Sequence, residues 1–194
     1  MPIKVAKFGG TSLASAPQIR KMQGIVQADP ERRFVVPSAP GRRTPEDTKV
    51  TDLLYLCHEL ASKGLQFDDA WDPVCDRFRE IVAGLGLSLD LEPLLDEAGA
   101  TIADHGRRGL GPDYAASRGE AINGRIIAEL LGCDYVDPTG VIFFGEDGRL
   151  DEERTYAAIA QRLGSLDRAV VPGFFGSGPD GSRAWRPATT TSTT

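Results

Sequence analysis

Lys7-Phe8-Gly9-Gly10-Thr11-Ser12 decides the reading of this chain. It follows Ile3-Lys4-Val5-Ala6, a short run that reads as a strand. It precedes Pro17 and a helix-period series at Ile19, Met22, Ile25 and Val26. Two glycines and two hydroxyls thus lie where a strand gives way to a helix. Phosphates bind well at such a place. Glycine lets the backbone come close, open N–H groups point at the anion, and the helix dipole adds partial positive charge. Lys7 adds a full charge. The stretch is not a Walker A loop, and it lacks the dinucleotide G-x-G-x-x-G at this turn. Two readings stand at this point: a phosphate-binding turn, or an ordinary strand–helix turn with glycines at positive φ.

The rest of the chain alternates strands and helices. Residues 33–38 read as a second strand, followed by a polar loop over 40–49. Thr51 reads as the N-cap of a helix carrying Leu53, Leu54, Leu56, Cys57 and Leu60 and stopping near Gly64. Helices are expected over 71–85 and 91–103, then a loop at 106–112 and a helix over 117–131. Short strands are expected at 134–137 and 141–144, a helix at 152–163 and a strand at 168–171. This alternation argues for an α/β fold with a mostly parallel sheet. The last residues, 189–194, are all Thr except Ser192 and offer no apolar face, so residues 182–194 are expected to form a disordered low-complexity tail.

Composition narrows the classes. The 194 residues suffice for a full core. The net charge of -6 argues against a nucleic-acid partner held by bulk electrostatics. No apolar run is long enough to span a bilayer, and no signal peptide is read at the start. Cys57, Cys75 and Cys133 are scattered and odd in number, as in reduced thiols of a cytoplasmic protein. His58 and His105 have no partner at metal-ligand spacing, so no metal-ligating residue is assigned.

Four segments in order carry a resemblance. They are Lys7-Phe8-Gly9-Gly10-Thr11-Ser12, Val35-Val36-Pro37-Ser38-Ala39-Pro40-Gly41, Ser117-Arg118-Gly119-Glu120 and Val171-Pro172-Gly173-Phe174-Phe175-Gly176-Ser177. Together they resemble the start of aspartate kinases of the amino acid kinase family. The resemblance implies a three-layer αβα sandwich, incomplete at its C-terminal side, with residues 1–181 forming the N-terminal, amino-acid-binding lobe. It implies transfer of the γ-phosphoryl of ATP to the side-chain carboxylate of L-aspartate, with Mg²⁺ on the phosphates. Lys7 would be catalytic. Lys7, Phe8, Gly9, Gly10, Ser12 and Ser38 would hold the nucleotide phosphates, and Thr51, Glu120 and Phe174 the amino acid. A full-length form would be a candidate homo-oligomer. The nearest alternatives are a kinase of glutamate, carbamate or a nucleotide, and an isolated lobe that binds aspartate without catalysis.

Each assignment has a plainer reading. Ser117-x-x-Glu120 is also a capping box, in which Glu120 reaches only its own helix terminus. Gly119 would leave room for a ligand. Phe174 could be a core aromatic, and Pro37 departs from the family pattern. The family's R-G-G-S-D segment has no counterpart, and a truncated chain is the expectation. Val170, Val171, Phe174 and Phe175 would then border an uncovered apolar face.

Overall fold

The computed structural model describes residues 3–179 and 181–184. Strand β1 (Lys4–Phe8) leads through a 3-10 turn (Gly10–Leu13) to helix α1 (Ala16–Gln27) and strand β2 (Arg32–Pro37). Four helices follow: α2 (Val50–Ser62), α3 (Asp68–Leu85), α4 (Glu92–Arg107) and α5 (Asp113–Leu131). Strand β3 (Asp134–Tyr135), helix α6 (Glu152–Gly164) and strand β4 (Ala169–Val170) complete the main sheet. Its order is β1-β2-β4-β3, and every pairing is parallel. Strands β5 (Phe175–Gly178) and β6 (Gly181–Ala184) form an antiparallel hairpin.

Alternate residues of the strands feed two cores. Val35 and Val170 point into a large cluster with α1 to α5, built on Leu13, Ile19, Leu54, Phe78, Ile102, Ile126 and Ile127. Phe34, Ala169 and Val171 point the other way, with Val136, Val141 and residues of α6. Parallel strands covered on both faces read as continuous apolar runs, as Phe34-Val35-Val36 does. The helices are thus divided unequally into two layers around one sheet.

Several boundaries differ from expectation. Helix α2 is capped by Lys49, so Thr51 lies within its first turn and caps nothing. Helix α5 starts at Asp113, four residues before Ser117. The capping box is therefore not formed, because Ser117 sits in the helix interior and its hydroxyl donates back to Tyr114 O. The propensity signal of Ser-x-x-Glu lost to the burial available to residues 113–116, where Ala115 and Ala116 are in the core. Residues 141–144 are not a strand, making only isolated bridges from Phe143 to Ser177 and Phe144 to Leu150. Ser182, Arg183 and Ala184, expected in the tail, are paired in β6; residues 185–194 lie outside the described residues.

The expected uncovered face is not where it was placed. Val170, Val171 and Phe175 are buried, and only Phe174 is exposed. Open apolar side chains occur instead at Ile3 and Val5, beside and on the outermost strand β1, on which Val5 is 65% exposed. Val5 shares the sheet face of Phe34, and α6 does not extend over it.

Two glycines of the same helical class should respond oppositely to alanine. A Cβ at Gly119 in α5 would meet the Ala39 Cβ at 2.7 Å, whereas a Cβ at Gly24 in α1 meets nothing within 4 Å. Gly119→Ala should destabilise by about 1–3 kcal/mol through overpacking. Gly24→Ala should stabilise by about 0.5–1 kcal/mol through helix propensity. Denaturant unfolding of the two variants beside the parent checks both signs.

Candidate active site

The sequence motifs meet at the carboxyl ends of β1, β2 and β4, the edge at which open parallel sheets place their ligands. Backbone contacts hold them there. Gly41 N donates to Gly10 O at 2.9 Å and Ser38 N to Phe8 O at 3.1 Å. A Cβ at Gly10 would lie 2.9 Å from Ala39 O, and one at Gly41 would lie 2.6 Å from Gly10 C. Gly10 is therefore glycine because two loops touch. Neither Gly9 nor Gly10 has a positive φ. The turn after Gly9 is a short 3-10 turn, and α1 begins only at Ala16, so α1 does not open at the glycines. What remains for an anion is the start of that turn, where the first N–H groups have no partner within it. Lys7 is exposed, as are Gly9, Thr11 and Ser12, while Phe8, Gly10 and Ser38 are half-buried.

Glu120 is the most unusual titratable group here. It is 6% exposed, and its Oε2 has no hydrogen-bond partner among the described residues. Burial pushes its carboxyl up to about 7; the Ala39 backbone N–H and the Lys7 charge pull in the opposite direction. Gly119 serves close packing and not ligand room, since Ala39, Leu54 and Val50 fill the space its side chain would take. Thr51 is half-buried and follows Val50, whose N–H donates to Pro40 O at 3.4 Å. Phe174 leaves the sheet after Pro172 and has φ of 75°, a value rare outside glycine. It is exposed, so the core-aromatic reading does not hold.

Two contributors were not read from the sequence. Asn123, fully buried on α5, donates its Nδ2 to Ser38 O at 2.7 Å, and its Oδ1 has no partner among the described residues. Arg77 of α3 reaches the loop after Ser38. It donates to Gly41 O at 2.8 Å and to both oxygens of Asp47 at 2.8 and 2.6 Å. Arg43 binds Asp47 from the exposed side. Hydrogen bonding from Arg43, with the charges of Arg77 and Arg43 assisting, holds the Asp47 carboxyl well below the usual carboxylate range. An isolated Asn inside an apolar helical face was the available signal for Asn123. An arginine in the middle of a core-facing helix was the signal for Arg77. Among the described residues, no group of three or more His, Cys, Asp or Glu side chains is placed to hold a metal ion. No helix among them is long and apolar enough to cross a membrane.

No protein-family model matches the chain. Over 189 residues it is 34% identical to aspartokinase 3 of Bacillus subtilis, covering 92% of this chain and 42% of that protein. The crystal structure of Clostridium acetobutylicum aspartate kinase matches with a TM-score of 0.92 at 40% identity, over 96% of this chain and 42% of that one. The chain is an aspartokinase homologue. It spans less than half the length of these relatives and corresponds to their N-terminal kinase part. Escherichia coli aspartokinase III in complex with aspartate and ADP shares the fold, with a TM-score of 0.77 at 23% identity over 94% of this homologue.

Two titrations follow from the site. The folded-state Asp47 carboxyl is lowered, so its stabilisation is present above the ordinary value of 3.8 and is lost as pH falls through the folded one. Asp47→Asn, which strands Arg77, should cost about 3–5 kcal/mol at pH 7, and the gap should narrow below pH 3.8 in urea unfolding. Glu120 has the opposite sign. Its folded value is raised from 4.5 to about 7, so stability falls as pH rises through that window. Relative to the parent, Glu120→Gln should gain on the order of 3 kcal/mol between pH 4.5 and 8. A pH series of melts on both proteins measures it.

Proposed function

We propose that this chain carries the acidic-amino-acid-binding part of an aspartate kinase, in which the γ-phosphoryl of ATP passes to the side-chain carboxylate of L-aspartate. The single observation that carries the reading is Glu120. A buried carboxyl with one oxygen unpartnered, beside the ends of two parallel strands, is a receptor for a cationic donor. The ammonium of L-aspartate is such a donor, and its arrival favours the ionised carboxylate. Thr51 and Phe174 flank the same strand ends and would border the amino acid. Ser38 would face the phosphoryl group in transit.

The nucleotide side rests on Lys7, Phe8, Gly9, Gly10 and Ser12. The fixed cation and the open N–H groups of the turn suit the charge that spreads over a transferring phosphoryl. Mg²⁺, carried on the phosphates of ATP, would supply further neutralisation of that charge. Homologues solved with aspartate and ADP, and with lysine and aspartate, support the choice of ligands.

A second reading is confined to the part of its relatives that the chain spans, 42% of their length. In it the chain binds L-aspartate and does not turn over. Titration calorimetry with L-aspartate, beside a coupled ADP-release assay with Mg-ATP, separates the two. Both readings expect L-aspartate to bind and Glu120→Gln to weaken it at least about tenfold, the scale of one charge-assisted hydrogen bond. ADP release that Lys7→Ala abolishes assigns catalysis to this chain; binding without release assigns the non-catalytic lobe. Tighter binding of L-glutamate than of L-aspartate would overturn the substrate choice.

A further inference from the structure

Helix α5 crosses the ends of two neighbouring strands on one face. Gly119 lies against Ala39, just past β2. Asn123 binds Ser38 O at the same strand end. Gly124 lies against Pro172, just past β4. Glu120 and Asn123 are three residues apart and so share this face. Asn123 is thus placed at the junction of both strand exits, one helical turn from the carboxyl that the proposed function uses.

The orientation of the Asn123 amide is fixed by its partner. Ser38 O can only accept, so the atom facing it is the Nδ2 donor. The other end, Oδ1, is a buried acceptor with no donor among the described residues. Glu120 Oε2 is in the same state. Leaving a buried acceptor unpaired costs about 1–3 kcal/mol, and native proteins rarely do so without a reason. Here two such acceptors occur one helical turn apart at the candidate site. A primary ammonium carries three N–H donors and meets two acceptors of this kind at once.

We propose that Asn123 Oδ1 is the second acceptor for the ammonium group received by Glu120, which makes Asn123 a specificity-determining residue for an α-amino acid over the corresponding diacid. This rests on the reading of Glu120 as the ammonium receptor. The Asn123 side chain would also hold Ser38 in place, so one residue ties the amino-acid subsite to the strand end beside the phosphate loop.

The test uses the intact chain with two probes, L-aspartate and succinate, which lacks the ammonium. In the parent protein, the Asn123 side-chain amide resonances should move on addition of L-aspartate and stay in place with succinate. Asn123→Ala should bind L-aspartate about tenfold more weakly and succinate within twofold of the parent. Equal weakening for both probes would mark a purely structural residue and overturn the proposal. So would amide resonances unmoved at saturating L-aspartate, as expected if only water occupies Oδ1. Should Asn123→Ala fail to fold, the parent spectra still decide. If Glu120→Gln leaves L-aspartate affinity unchanged, or the parent binds none, the underlying reading fails and this proposal with it. If Glu120→Gln weakens binding while Asn123 does not discriminate the ammonium, the role of Asn123 alone fails.

Discussion

Close approach between helix α5 and the loop leaving β2 is the constraint on which the site depends. The Ala39 Cβ occupies the place where a side chain at Gly119 would be. That removes a layer of side chains and brings the α5 backbone onto the strand end. The same economy recurs at Gly10 against Gly41, and at Gly124 against Pro172. With bulkier residues there, α5 would ride higher, Asn123 would lose Ser38 O, and Glu120 would move away from the Ala39 N–H. Gly10, Gly41, Gly119 and Gly124 are therefore spacers between packed segments, whereas Gly9 has open space around it.

Beyond Gly41, where the loop after Ser38 turns exposed, it is held by charge and not by apolar packing. Arg77 is buried to within 3% of its side-chain surface and bridges Gly41 O to Asp47. A buried guanidinium with a bidentate carboxylate fixes a loop in direction as well as in place. Its Nε is buried and has no hydrogen-bond partner among the described residues. A long polar loop thereby keeps a defined path between β2 and α2, and delivers Thr51 to the first turn of α2.

Much of this was legible in the sequence. The alternation of apolar runs gave the order of strands and helices, and the four motifs do cluster at one edge of the sheet. Element ends were harder. Ser117 and Thr51 both have the local chemistry of caps, yet both lie inside helices, because burial of Ala115 and Ala116 and of Val50 extends those helices backward. Local hydrogen-bond preference is worth about 1 kcal/mol, which burial of several apolar groups outweighs. Residues 141–144 have strand composition but no continuous neighbour to pair with. Asn123 and Arg77 were missed because their roles depend on contacts 85 and 36 residues away in the chain.

The two halves of the candidate site rest on unequal foundations. Glu120 and Asn123 belong to a long helix packed against other helices and four strands, with its glycines and alanines in the interior. Lys7 belongs to β1, which pairs with β2 alone among the described strands and leaves Val5 bare. Segments with few buried contacts open locally at a fraction of the free energy needed to unfold the whole. Amide protons of β1 will therefore exchange with solvent sooner than those of α5. Glu120 and Asn123 thus stand on a helix covered on most sides, and Lys7 on an edge strand with one neighbour among the described strands.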